Sequence, residues 1–176
     1  MNIANKVTTV RMFMVPVFVV SYYIFGNDYN IAAIIFALAS LTDALDGHLA
    51  RSRNLVTTFG KFMDPLVDKI LTMAGFILLT STNAIPAWAC ILIIARELII
   101  TGLRTLAASN NVTIAASKGG KAKTMSQCIS IFLLLVSNET FNYVGLIIFY
   151  LAVVLTVLSG ADYLIKNKKV LNLNDI

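Results

Sequence analysis

Long apolar runs, separated by short polar stretches, make up most of this chain. Hydrophobic segments cover about 7–26, 30–50, 59–80, 85–107, 122–138 and 141–162, and most approach the roughly 20 residues that a helix needs to cross a bilayer core. Gly26-Asn27-Asp28 closes the first segment. Ser81-Thr82-Asn83 with Pro86 separates the third from the fourth, and Ser137-Asn138-Glu139 separates the fifth from the sixth. The second and third segments contain acids, which lower their average hydropathy, yet the punctuation around them marks them as spans. Lys6 and Arg11 precede the apolar run Met12 to Phe25 as in a secretory leader, but no small-residue cleavage pattern follows. That run is read as a retained first span. The pattern predicts an all-α polytopic membrane protein, with six transmembrane helices in a single domain over 1–176. No internal repeat or low-complexity tract interrupts it.

Composition supports the same class. The chain is 58% hydrophobic and 13% charged, with a mean hydropathy of +0.81; a soluble domain carries about 25% charged residues. The fourteen lysines and arginines fall at the N-terminus (Lys6, Arg11), around the second connection (Arg51, Arg53, Lys61, Lys69), around the fourth (Arg96, Arg104, Lys118, Lys121, Lys123) and after the sixth segment (Lys166, Lys168, Lys169). The first, third and fifth connections contain none. Basic residues collect on the cytoplasmic side of a membrane, so both termini, the even-numbered connections and any active site are expected to face the cytoplasm. The net charge of +5 therefore reflects membrane orientation and does not imply nucleic acid. Cys90 and Cys128 sit inside apolar runs without metal-ligand spacing and are read as small buried residues.

Between Asp43 and Asp68 the chain departs from this pattern. Asp43, Asp46, Gly47 and Ala50 share one face of a helix, with Arg51 at its edge; Gly60, Asp64 and Asp68 share one face of the next. Carboxylates at i,i+3 and i,i+4 stand about 5–6 Å apart at Cβ. Each acid at mid-membrane costs roughly 2.5–3.5 kcal/mol on the insertion scale, and too few cations share these faces to neutralise four. Divalent ions with oxygen ligands, Mg²⁺ or Mn²⁺, solve this problem. Two of them about 3.5–4 Å apart would hold a pyrophosphate. Gly47 and Ala50 let a ligand or helix approach the backbone closely. Asp64 before Pro65 also fits a simple helix cap, with the proline in the first helical position. His48, the only histidine, points about 140° away from Asp43 and is read as packing. Without it no Ser–His or Cys–His nucleophile can be assembled, which favours direct attack by an alcohol oxygen.

The motif D43-x-x-D46-G47-x-x-A50-R51, followed by G60-x-x-x-D64-x-x-x-D68, resembles the signature of the CDP-alcohol phosphotransferases. These are membrane enzymes that transfer a phosphatidyl or similar group from a CDP-linked donor to an alcohol. The resemblance implies six transmembrane helices, a cytoplasm-facing site and a homodimer. It also implies that Asp43, Asp46, Asp64 and Asp68 bind two metals, with Asp68 serving in addition as general base. Asp46, Gly47, Ala50, Arg51 and Gly60 would then line the donor pocket.

The acceptor has to be read elsewhere. Arg96 and Arg104 lie about 80° apart around the fourth helix. Lys121 and Lys123 flank the expected start of the fifth, a natural anion site. Together they favour a phosphorylated acceptor. In this reading Glu97 is no partner for Arg96, because adjacent helical residues do not face each other. Lys118, Lys123 and Lys166 to Lys169 also fit as interfacial anchors. These segments, with Asn2 to Arg11, resemble the branch of the family that uses CDP-diacylglycerol and sn-glycerol 3-phosphate. By that resemblance Asn5, Thr8 and Arg11 lie near the site. Ala4 stands where that branch usually has proline. The alternatives are an inositol-phosphate-using member of the family and, outside it, a cation transporter or a structural membrane subunit.

Overall fold

The computed structural model describes residues 3–26, 28–52, 58–109 and 118–167. These form six α-helices, α1 (Ile3–Ile24), α2 (Asn30–Ser52), α3 (Thr58–Ser81), α4 (Ala87–Ser109), α5 (Lys118–Leu135) and α6 (Glu139–Lys166), and no strand among the described residues. The helices coincide with the six apolar segments and extend several of them. α3 begins at Thr58 and runs through Asp64 and Pro65, so Asp64 is not a cap. Proline is accommodated inside this helix, as Pro16 is inside α1.

α3 is the central helix, touching α1, α2, α4 and α5, while α5 and α6 share the most extensive contact. Large side chains fill the middle. Phe18 of α1 meets Phe36 of α2 at 5.5 Å between ring centroids, and Phe76 of α3 meets Phe149 of α6 at 5.8 Å. Small residues set the closest approaches. A Cβ on Gly75 would stand 2.8 Å from Ile131 Cγ2, and one on Gly145 would stand 3.0 Å from Leu134 Cγ. α3 and α5, and α5 and α6, therefore pack nearly backbone to side chain, a geometry suited to helices that gain little from burying apolar surface against each other in lipid.

The outer surface is strongly apolar. Val17, Val20, Ile34, Leu38, Ile77, Ile91, Ile147, Leu151, Val154 and Leu158 are all exposed. Tyr23, Trp88 and Tyr143 are exposed near the C-terminus of α1 and the N-termini of α4 and α6, the kind of position aromatic residues take at a membrane–water boundary. Among the described residues, α6 alone is both long and apolar enough to cross a membrane by composition. α1, α2 and α3 hold shorter apolar stretches at Met12–Ile24, Asn30–Thr42 and Lys69–Ser81. The rest of each of these helices, and the corresponding ends of α4 and α5, carry the charged residues.

Polar turns close the end remote from the charges. Asp28 Oδ1 accepts from the Asn30 amide at 3.0 Å and from Ser137 Oγ at 3.3 Å, while Asn30 Oδ1 accepts from the Ser137 amide at 3.0 Å. Asn138 caps α6, its side chain accepting from the amides of Thr140 and Phe141. Tyr22 donates to the Leu78 carbonyl at 3.0 Å, tying α1 to the end of α3. Cys90 is buried and Cys128 half-buried, and the two are not joined.

Gly75 and Gly102 provide a direct test of this packing. A Cβ on Gly102 meets nothing within 4 Å. Gly75→Ala should lower stability by about 1–3 kcal/mol through overpacking against the fully buried Ile131. Gly102→Ala should be neutral or stabilising by up to about 1 kcal/mol. Thermal unfolding midpoints of the two variants in detergent check this.

Candidate functional site

The acidic motif lies on two helices joined by one connection. Positions 43, 46, 47, 50 and 51 lie on the last turns of α2, and 60, 64 and 68 on the first turns of α3. The helical backbone puts Asp43 and Asp46 at i,i+3, and Asp64 and Asp68 at i,i+4. The side chains of Asp43, Asp46, Gly47, His48, Ala50, Arg51, Gly60, Asp64 and Asp68 lie outside the described residues, as do those of Asn5, Thr8, Arg11 and Lys118. Among the described residues no three His, Cys, Asp or Glu side chains converge as a metal site. As a donor set, four aspartates on two adjoining helix ends fit a hard divalent cation.

Directly beyond Asp68, the side chains resolve into a buried ionic cluster centred on Glu97. Oε2 of Glu97 accepts from Lys69 Nζ at 3.3 Å; Oε1 accepts from Arg96 NH1 at 3.2 Å and from Lys123 Nζ. The cations come from three helices, Lys69 from α3, Arg96 from α4 and Lys123 from α5. Glu97 is 6% exposed and Lys123 only 2%. α6 completes the group, with Ser159 Oγ accepting from Arg96 NH2 at 3.0 Å. A Cβ on Gly160 would stand 3.2 Å from Arg96 Cγ, so this glycine provides the space in which the arginine stem lies.

Arg96 and Glu97 are thus partners, against the expectation from their adjacency. Their Cβ atoms do diverge by about 100° around the helix. Arg96 runs toward α6 and Glu97 toward α3 and α5, but the guanidinium is long and forked. One nitrogen bonds Ser159 on α6 while another folds back to the carboxylate. The i,i+1 argument concerns Cβ directions, and an arginine outreaches it.

Three cations around one carboxylate leave a formal excess of two positive charges among the described residues. Among the described residues the donors are not saturated. Each ammonium carries three hydrogens, and Arg96 Nε has no acceptor among the described residues. Exposure grades across the cluster, from 23% for the Lys69 side chain through 15% for Arg96 to 3% for Lys123. The open side is therefore that of Lys69 and Arg96. Below the cluster, Lys123, Gln127 and Ser130 continue a buried polar stripe along α5, and Gln127 Nε2 donates to Thr156 of α6 at 3.3 Å.

Of the four described residues expected to bind the acceptor phosphate, the fold brings Arg96 and Lys123 together around one carboxylate. Arg104 and Lys121 are exposed, farther along α4 and on the first turn of α5. The expectation did not include Lys69, Glu97 or Ser159. An acid within an apolar run demands a cationic partner, so Glu97 did carry a signal. Nothing local identified Lys69 and Lys123 as those partners.

Residues 1–158 match the family described as CDP-alcohol phosphatidyltransferase. A Bacillus subtilis protein named CDP-diacylglycerol--glycerol-3-phosphate 3-phosphatidyltransferase is 40% identical, over 94% of this chain and 95% of its own length. A Rickettsia felis protein of the same name is 35% identical over 96% of each chain. A Mycobacterium tuberculosis protein named probable phosphatidylglycerophosphate synthase is 38% identical over 92% of this chain and 79% of its own.

Removing one partner from the buried pair should be costly. Lys123→Ala should destabilise by about 3–5 kcal/mol by leaving Glu97 short of its most enclosed partner. Lys166→Ala, which breaks the exposed i,i+4 pair with Asp162, should cost no more than about 0.5 kcal/mol. Denaturation of both variants in the same detergent measures the difference.

Proposed function

Because this chain belongs to the CDP-alcohol phosphatidyltransferase family, and is thus a membrane transferase, we propose that it moves the phosphatidyl group of CDP-diacylglycerol to sn-glycerol 3-phosphate. The products are CMP and phosphatidylglycerol phosphate. The names carried by the full-length relatives point to this reaction. The structural observation that carries the choice of a phosphorylated acceptor is the excess positive charge around Glu97. It begins at Lys69, one residue beyond Asp68 on the same helix. An anion held there would lie beside the acidic motif.

In this reading all six helices cross the membrane as one domain, with the charged ends and both termini on the cytoplasmic side. The apolar outer surface, the aromatic residues at the opposite end and the distribution of Lys and Arg support it. A homodimer and contact with membrane lipids belong to the same reading, and nucleic acid does not.

Asp43, Asp46, Asp64 and Asp68 supply the hard oxygen donors that two Mg²⁺ or Mn²⁺ ions require. When bound, such ions neutralise the pyrophosphate and stabilise charge on the attacking and leaving oxygens. The donor's cytidine and pyrophosphate lie along Asp46, Gly47, Ala50, Arg51 and Gly60, where small residues let the ligand approach the helix backbone. Arg96 and Lys69 hold the acceptor phosphate, with Lys123 behind them and Arg104, Lys121, Thr8 and Arg11 around the approach. Asp68 takes the proton from the 1-hydroxyl of glycerol 3-phosphate. The oxygen attacks the phosphorus on the diacylglycerol side, the bond to the CMP oxygen breaks, and Arg51 offsets the charge on departing CMP. Holding the acceptor by its phosphate beside the base makes an otherwise bimolecular encounter effectively intramolecular.

Asp68→Asn should reduce turnover by about 10²–10⁴-fold or more without loss of the folded protein. Transfer measured by CMP release at near-normal rate would rule out the base assignment. Chelating divalent ions should abolish CMP release, and Mg²⁺ or Mn²⁺ should restore it. A panel of acceptors offered with CDP-diacylglycerol should yield product with glycerol 3-phosphate and not with inositol phosphate, glycerol or serine. Product with inositol phosphate instead would move the protein to the neighbouring branch. Cation flux without CMP release would make it a transporter.

A further inference from the structure

Resting on that acceptor reading, we propose that Glu97 is a positioning residue of the acceptor subsite: its carboxylate holds Lys69, Arg96 and Lys123 in a fixed array that receives the phosphomonoester of the acceptor. Glu97 is enclosed and carries the wrong sign to meet a phosphate. Any effect it has on the acceptor is exerted through its partners. Without an anion among them, three cations from α3, α4 and α5 would repel one another, and each long side chain would regain its rotamer freedom. The carboxylate divides its two oxygens between them, Oε2 to Lys69 and Oε1 to Arg96 and Lys123. Ser159 on α6 fixes the far nitrogen of the guanidinium.

The resulting array has its charge excess, among the described residues, on the Lys69 and Arg96 side, where exposure is greatest. Glu97 thereby couples the position of the acceptor to α3, the helix that carries Asp64 and Asp68. A simple clip between helices would need only one cation. Drawing in three, two of them partly open to solvent, is the arrangement of a ligand subsite assembled in advance of its ligand.

The test uses the full-length enzyme in mixed micelles, with glycerol 3-phosphate and CDP-diacylglycerol varied separately and inorganic phosphate as a competing anion. Three variants are compared with wild type: Glu97→Gln, Glu97→Asp and the double variant Glu97→Gln/Lys123→Met. Glu97→Gln should raise KM for glycerol 3-phosphate about tenfold or more, and weaken inhibition by phosphate in parallel. KM for CDP-diacylglycerol should stay within about twofold. Glu97→Asp keeps the charge on a shorter arm and should fall between the two. The double variant removes both members of the most buried pair and leaves only the partly exposed Lys69 and Arg96 without the carboxylate, and its acceptor KM should remain raised.

An unchanged acceptor KM in a folded variant, or a parallel rise in KM for both substrates, would make Glu97 a structural clip and overturn the proposal. Should Glu97→Gln not fold, the double variant decides. Should neither fold, a wild-type acceptor KM in Glu97→Asp overturns it. If wild type uses no phosphorylated acceptor, the acceptor reading itself fails and the proposal falls with it. If wild type does and the variants match it, the proposal alone fails.

Discussion

Everything in this molecule follows from the cost of placing charge inside an apolar body. Its exterior is covered with exposed valine, isoleucine and leucine, so ionic groups have few places to sit. The structure gathers four of the described ones, Lys69, Arg96, Glu97 and Lys123, in one cluster inside the helix bundle. There Glu97 gathers a cation from each of three helices, and α6 contributes Ser159 and the space beside Gly160. One carboxylate thus ties α3, α4 and α5 together at the end that carries the acidic motif. The opposite end is held differently, by turn hydrogen bonds among Asp28, Asn30 and Ser137 and by the Asn138 cap.

Small residues make this concentration possible. Gly75 and Gly145 bring α3, α5 and α6 close enough to exclude lipid from the seam between them. Lys123, Gln127, Ser130 and Thr156 can then be buried with polar partners. Gly160 does the same for Arg96. A methyl group at that position would stand 3.2 Å from Arg96 Cγ and press on the arginine stem that carries the bonds to Glu97 and Ser159. Loss of either contact would leave a donor stranded in a low-dielectric setting, where an unmade bond costs more than a made one contributes. Packing and electrostatics are therefore one problem here: the glycines determine which charges can be satisfied.

The fold was largely legible in the chain because polar punctuation and apolar runs alternate so sharply. Each of the six segments became a helix, and the turn residues Asp28 and Asn138 act as the sequence suggested. The exceptions are local. Asp64-Pro65 has the look of a helix start, yet α3 begins at Thr58. A proline inside a helix frees one carbonyl and clashes with the preceding turn, which is why the pair reads as a boundary although the helix runs through it. The motif from Asp43 to Asp68 was legible because eight positions repeat at helical spacings. The Glu97 cluster was not, for two reasons. Its members lie 26 and 28 residues apart across three helices, and its one local pair violates a rule that describes Cβ directions rather than the reach of an arginine.

Under the proposed function, that difference also separates two kinds of specificity within one site. The acidic motif lies on consecutive helices around a single connection, so local spacing is enough to define it. It suits the shared part of the chemistry, a pyrophosphate and its metals. Acceptor recognition has to distinguish one soluble alcohol from another, and the groups suited to it come from α3, α4, α5 and α6 at once. Such a subsite is set by how the helices pack. It can change when a single residue such as Gly160 or Glu97 alters the approach of two helices, while the acidic motif stays intact. A family that keeps its donor and varies its acceptor needs this division. In this chain the Glu97 cluster begins at Lys69, the residue next to Asp68 on α3.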